Sequence, residues 1–517
     1  MRTVAPLSCS QFLRTLTHGL LAALLGCSSA PLLAADQLLV RFSGLELPLD
    51  LEQLEAWAVQ PKTNPELGPW LNLLDPQTRS DLQQILRQPL DLQGSTIPLL
   101  LESWAGRQLI LKLGTLLRSA EGEGGPILID LLQDQGKPTV VSLLRKAPSE
   151  RLELDLDALS ALGVELRGKL QRQKDLLQQL RSLDLTPLPP EPAAPGAVQH
   201  RAALLPVAHR PGPLQVKLWW PAANSGRRQW VLLSHGLGGS SAQMAWLGRG
   251  LAARGWPVLA VQHPGSDDLA VQALLEGRQT LPGLETLPAR LADFAALEAA
   301  VSSARLRFGP TAAPERLVLV GHSLGGLAGL LWAGAAVEAG LEERCAAGLR
   351  SIPVLDSSFL LQCQLSEVLL PQTRSPAALD AVVVMNSFGS LLWGQGGLAG
   401  IDVPVLSIGG SLDLITPPLT EQLQPFDQFS DRRSRFALVE GGSHFSPVGI
   451  SRDEALMQLG SDLVGRNPAD VQQALLQLQL QFLSSLEQGQ TPADGVMLDG
   501  AVRTFVLDRE AAAELRT

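Results

Sequence analysis

Residues 317–334, LVLVGHSLGGLAGLLWAG, constrain this chain more than any other stretch. An aliphatic run suited to a buried strand ends in Gly321-His322-Ser323-Leu324-Gly325, and a run of small residues follows at once. A strand that turns directly into a helix leaves the serine at the apex of a tight bend. Glycines must flank it there, because larger neighbours would collide. In a chain with 48 glycines the bare G-x-S-x-G pattern could be accidental. Its place between an aliphatic strand and a small-residue helix is what makes it specific, and it makes Ser323 the candidate nucleophile.

The surroundings support a sheet that would present such a turn. After residue 200 short aliphatic runs recur between helical stretches: QVKLWW, WVLLSHG, PVLAVQH, RLVLVGHS, AVVVMNS, VPVLSIGG and RFALVEGG. Near-continuous apolar strands alternating with helices such as LPARLADFAALEAAVSSA predict a mainly parallel sheet covered on both faces. Active groups in such sheets gather at the carboxyl ends of the strands. The Ser, Asp and His residues of this sequence fall at those ends.

A serine hydroxyl needs a base to take its proton during attack. His444, in VEGGSHFSPVG, follows the last aliphatic run and is the candidate base. His322 sits inside the turn with its side chain directed away from its neighbour's; His235 reads as shaping its loop, His263 as a rim residue, and His200 and His209 belong to the entry segment. The base in turn needs a carboxylate that fixes its tautomer and stabilises its positive charge. Asp413, in PVLSIGGSLDLITPP, follows a strand and gives the chain order Ser, Asp, His of this type of sheet. Asp356, in SIPVLDSSFL, competes for the role but has no strand directly before it. The developing oxyanion requires backbone N–H groups; Leu324 supplies one by position, and Leu237 in the glycine-rich SHGLGGS supplies the second. That loop lacks the Lys and Ser/Thr pattern of a phosphate-binding loop, and Gly255 and Gly265 build no dinucleotide fingerprint. No cofactor and no metal site are expected.

The first half has a different texture. QLLVRFSGLELPLDL suggests a short hairpin, and the segments that follow, up to LDALSALGVELRGKLQRQKDLLQQLRSL, carry helical periodicity without catalytic spacing. LTPLPPEPAAPGA, with five prolines, favours extended chain and reads as a linker or long surface connection. At the N-terminus, Arg2 and Arg14 precede LTHGLLAALLG, too short to span a bilayer, and small residues follow up to Ala35. This is the pattern of an export signal cut after Ala35. LLGC offers a second processing site that would make Cys27 a lipid-anchored N-terminus in peripheral contact with a membrane. Cleavage after Ala35 removes Cys9 and Cys27 and leaves Cys345 and Cys363, an even pair that favours a disulfide in an oxidising compartment over two buried thiols. With 41 Lys and Arg against 51 Asp and Glu, and no basic cluster, nucleic acid is not expected as a partner.

Residues 215 to about 465 resemble an α/β-hydrolase. SHGLGG, GHSLGG, GGSLDLITP and GGSHFSP are similar to motifs of the platelet-activating-factor acetylhydrolase and dienelactone hydrolase branches. The mature chain, through LLVRFSGLELPLDLEQLEAWA and PLTEQLQPF, resembles exported cyanobacterial proteins that join an N-terminal domain of unknown function to such a hydrolase. The resemblance implies Ser323, Asp413 and His444 as a triad, with Leu237 and Leu324 as the oxyanion hole. One departure matters: acetylhydrolases of the platelet-activating-factor type carry their acid after the preceding strand, where this chain has Asn386 in VVVMNSFG. Only the scaffold is therefore carried over.

The expected organisation is a signal at 1–35, a smaller, mostly helical domain at 36–184, a Pro-rich linker at 185–199, an α/β-hydrolase domain at 200–490 with a cap-like insertion at 340–380, and a tail at 491–517. The expected activity is that of an exported serine hydrolase acting on a small-molecule or lipid carboxylic ester. Abundant leucine, with Phe388 and Trp393 near the site, hints at an apolar acyl group. The competing reading is an envelope binding or scaffold protein whose hydrolase domain is weak or vestigial.

Overall fold

The computed structural model describes residues 35–515, without 61–66, 73–75, 88, 90–95, 120–121, 133–137, 148, 150, 192–194, 224, 311–313, 351–356, 373–374 and 449–466. Cys9, Cys27 and nearly all of the expected signal lie outside the described residues, as does Asp356. The chain forms two compact units, one holding residues up to Leu92 together with Gly114–Asp157, the other Gln93–Leu113 and Ala158–Thr517.

In the first unit the expected hairpin is present. β1 (Gln37–Phe42) and β2 (Leu45–Asp50) pair antiparallel across Ser43 and Gly44, both in the left-handed region. They belong to a five-stranded sheet with β3 (Leu117–Ser119), β4 (Gly122–Glu123) and β5 (Arg151–Asp155), in the order β2-β1-β5-β3-β4. The sheet beyond the hairpin was not expected from sequence, because its other strands are only two to five residues long and lie between helices.

The second unit is built on an eleven-stranded mixed sheet. Its centre holds six parallel strands: β10 (Val258–Val261), β9 (Gln229–Ser234), β11 (Arg316–His322), β12 (Leu379–Met385), β13 (Val405–Gly410) and β14 (Arg435–Val439). Antiparallel strands flank them, β8 (Leu214–Pro221) and β7 (Val198–Leu205) on one side, β16 (Val502–Leu507) and β15 (Gly495–Asp499) on the other. All seven aliphatic runs named above are strands of this sheet. Residues of β9, β10 and β11 are buried on both sides, which is why these runs are continuous rather than alternating. Two cores result. One packs the helices Leu287–Ser302 and Leu324–Trp332 on one face, and the other packs Ala245–Ala252 and Pro468–Glu487 on the opposite face.

Three expected boundaries differ from the structure. The stretch 491–517, expected as a tail, supplies β15, β16 and the helix Arg509–Glu514; Gly500 and Ala501 make the hairpin turn between the paired Asp499 and Val502, with Gly500 at φ 56°. Residues 187–188 of the Pro-rich segment form a short edge strand, β6, parallel to β15, so this part lies on the sheet instead of hanging free. The helix Leu156–Ser182, expected to close the first domain at 184, packs from Ala158 onward with the second unit: Leu176 and Leu180 are buried in the first of the two cores.

The insertion carries the helices Leu341–Gly348 and Ser357–Gln364, joined by a disulfide between Cys345 and Cys363 with a Cα–Cα separation of 5.6 Å. Cross-linking a loop of this size restricts the unfolded chain and stabilises by about 3 kcal/mol in the chain-entropy view. The Cys345→Ser/Cys363→Ser variant is therefore expected to unfold at lower urea than the parent, with the parent showing no free thiol by mass spectrometry before reduction. Equal midpoints for the two proteins would contradict this.

Candidate active site

β11 ends at His322, and the helix Leu324–Trp332 begins two residues later, leaving Ser323 alone to make the turn. Its backbone is at φ 50°, ψ −119°, a strained conformation for a residue with a side chain, held by the structure around it. Two flanking glycines permit the turn through close approach. A Cβ on Gly321 would stand 2.3 Å from the Gly325 carbonyl oxygen, and one on Gly325 would stand 2.3 Å from that of Ser234. The elbow is thus pressed against the end of β9, with Ser323 only 8% exposed.

The structure brings Ser323, His444 and Asp413 together from three strand ends. The Ser323 Oγ lies 3.1 Å from His444 Nε2, and His444 Nδ1 lies 2.9 Å from Asp413 Oδ2. Asp413 is fully buried, and its other bonds are short: the Ile415 and Thr416 N–H groups donate to Oδ1 at 2.9 Å, while Thr416 Oγ1 and Asn386 Nδ2 donate to Oδ2 at 2.6 Å. Burial pushes this carboxyl up, but the facing His444 and the bonds from His444 and Thr416 outweigh it and hold it below the ordinary range. A carboxylate so placed keeps the His444 Nδ1 proton, leaving Nε2 unprotonated toward Ser323.

Neighbouring residues fix the two loops. His322 Nε2 donates to the His444 carbonyl at 2.9 Å, its ring packed 5.1 Å from that of His444. Gln173 Nε2, from the helix Leu156–Ser182, donates to the Asp413 carbonyl at 2.6 Å, and Arg181 pairs with Glu440 at 2.6 Å. Sequence reasoning missed the support from Thr416, Asn386 and Gln173. D-x-x-T after a strand is a readable turn signal for Thr416, whereas nothing local marks Gln173, 240 positions from its partner. Asn386, noted only as the site of a missing acid, has φ 50° and spends its amide on Asp413. Phe388 and Trp393 are buried in the core, so they give no indication of an acyl pocket.

Leu324 and Leu237 both have backbone N–H groups without a hydrogen-bond partner among the described residues. The loop carrying Leu237 runs beside the serine: a Cβ on Gly236 would lie 3.1 Å from Ser323 Cβ. Behind that loop His235 Nδ1 donates to the Gly236 carbonyl at 2.7 Å and its Nε2 accepts from the His263 N–H, so His235 shapes the loop. His263, read from sequence as a rim residue, is fully buried; its Nδ1 lies 2.7 Å from Asp293 Oδ2 and its Nε2 3.0 Å from Ser234 Oγ. His209 reaches the same carboxylate at 2.7 Å.

Burial, with the added charge of Arg290, holds His235 well below the ordinary histidine range and His263 at about 4; burial and the neighbouring His444 hold His322 at about 3. Each folded ring resists the proton that the unfolded chain binds near pH 6.5, so acid favours unfolding as pH falls from about 6.5 toward 4. Calorimetric melting is expected to drop by at least about 5 °C between pH 7 and pH 5, with a shallower slope in His263→Gln. A melting temperature unchanged over that interval would contradict the histidine account.

A mixed sheet with a central parallel block, helices on both faces and a serine on a strained strand-to-helix turn defines the α/β-hydrolase class. Residues 34–155 match the family described as alpha/beta hydrolase of unknown function (DUF1400). The matched stretch falls mainly in the first unit and the elbow in the second, so class and family description rest on separate parts of the chain. No curated protein matches this sequence.

Proposed function

We propose that this chain is an exported serine hydrolase that cleaves carboxylic esters through an acyl-enzyme. The observation that supports this reading is the continuous set of contacts from Asp413 through His444 to Ser323, on a turn that raises the serine. In the proposed reaction His444 Nε2 takes the Ser323 Oγ proton as Oγ bonds to the ester carbonyl carbon. The carbonyl oxygen becomes an oxyanion facing the Leu324 and Leu237 N–H groups, each such donor contributing about 3 kcal/mol to the transition state. The ester C–O bond then breaks, and the His444 proton passes to the departing alkoxide. Water repeats the sequence on the acyl-enzyme, releasing the acid and restoring Ser323.

Export, cleavage after Ala35 or lipidation at Cys27, and a capping role for the 340–380 insertion belong to the same proposal, as does kinship with the acetylhydrolase and dienelactone hydrolase branches and with the cyanobacterial proteins. The test is a fluorophosphonate probe followed by peptide mapping, joined to turnover of p-nitrophenyl esters of graded chain length. Labelling confined to Ser323, with saturable ester turnover, is the expected result. Labelling of another serine, or none together with no turnover, would overturn the reading.

A further inference from the structure

The helix Leu287–Ser302 carries two charged residues, Arg290 and Asp293, on its buried face, and both are 0% exposed. Asp293 is satisfied by Arg210, which donates to both of its oxygens at 2.6 Å, and by the rings of His209 and His263. Arg290 is different. Among the described residues it forms no ion pair, and its hydrogen bonds go to neutral oxygens. Nη1 donates to the His235 carbonyl at 2.6 Å, Nη2 to the Gly236 carbonyl at 3.1 Å, and Nε to Ser266 Oγ at 2.9 Å. Asp293 and Asp267 act on Arg290 only from beyond ion-pair distance, and a buried cation with no carboxylate in direct contact is costly, so its surroundings must be arranged around it.

Those carbonyls belong to the loop that carries Leu237. In a trans peptide the C=O and the following N–H point in opposite directions. Arg290 and His235 Nδ1 hold the Gly236 oxygen on the core side, so the Leu237 N–H is turned to the other side. The loop lies close to the serine, since a Cβ built on Gly236 would stand 3.1 Å from Ser323 Cβ. Ser266 secures the same arrangement, because its carbonyl accepts the Gly238 N–H at 2.9 Å while its hydroxyl oxygen accepts a hydrogen bond from Arg290 Nε at 2.9 Å. A charged donor on a peptide oxygen also polarises that peptide and strengthens the bond its N–H can give.

We infer that Arg290 is a positioning residue for the oxyanion hole: it fixes and polarises the Gly236–Leu237 peptide whose N–H receives the charge formed on the ester oxygen. This inference rests on the hydrolase reading above. Arg290 contacts no substrate, so its effect belongs to the transition state and not to ester binding.

The test uses Arg290→Gln and Arg290→Met in the full chain, with p-nitrophenyl ester kinetics and inhibition by an aryl trifluoromethyl ketone, which forms an oxyanion adduct with an active serine. The expected result is kcat lower by about 100-fold with KM within about threefold, and the ketone weakened by a similar factor. Arg290→Lys, which restores the charge, is expected to recover part of both losses. Folded neutral variants with parental kcat and ketone affinity would overturn the inference, and so would a loss confined to KM. Should neither neutral variant fold, Ser266→Ala carries the test, because it removes one anchor and leaves the guanidinium. A kcat lowered about fivefold at constant KM is then expected, and parental values overturn the inference. If the parent hydrolyses no ester, or Ser323→Ala is as active as the parent, the hydrolase reading itself fails. Activity that depends on Ser323 but not on Arg290 defeats only the positioning role.

Discussion

Ser323→Ala is expected to lose about 10⁶-fold in kcat and all fluorophosphonate labelling while keeping the parental melting temperature to within a few degrees. The size of the loss follows from what Oγ does. It is the atom that bonds to the carbonyl carbon, and His444 Nε2 at 3.1 Å has no other proton to take from it. Removing either partner disables both, so the two single losses are not additive. The fold has little reason to change. Alanine at a position with φ 50° carries the same Cβ strain as serine, and the elbow is held by Gly321 and Gly325 rather than by the hydroxyl. A variant that retains a tenth of parental turnover would require another nucleophile.

Asp413→Asn is expected to lower kcat by about 10⁴-fold and leave KM nearly unchanged. The reason lies in how the carboxylate is surrounded. Oδ2 receives Thr416 Oγ1, Asn386 Nδ2 and His444 Nδ1, and Oδ1 receives two backbone N–H groups. An asparagine must place its NH₂ in one of these two positions, and each already faces donors. With the NH₂ toward His444, the ring is driven to carry its proton on Nε2, where it can no longer accept one from Ser323. With the NH₂ toward the backbone, two buried N–H groups lose their acceptor. The substrate meets none of these atoms, so binding is spared. A crippled KM with intact kcat, or near-normal turnover, would place the acid elsewhere, and Asp356→Asn is then the variant to measure.

The six central parallel strands were legible because each is buried on both faces, and an aliphatic run is the direct imprint of that burial. The same imprint placed Ser323, Asp413 and His444 at strand ends, where the sequence order alone brought them into one set. β15 and β16 were not expected because they are only five and six residues long and follow a long helix, although Gly500 with Ala501 between two apolar runs is a hairpin signal. Arg290 and Asp293 were visible as charges within an apolar helix pattern. Their meaning was not, since it depends on which carbonyls and rings the sheet brings to them. The contact from Gln173 to Asp413 could not be read at all: it joins a helix and a loop separated by five of the six parallel strands.

That contact also changes where the unit holding Ser323, Asp413 and His444 begins. The prolines at 185–197 invite a cut, and a fragment started at Val198 would keep every strand of the parallel block. It would also uncover the ground on which Leu176 and Leu180 rest, free the carbonyl of Asp413, and release Glu440 from Arg181, four residues before His444. The smallest transferable unit therefore starts upstream of its own apparent linker, and any recombination or excision that moves the eleven-stranded sheet as a module must carry residues 158–182 with it.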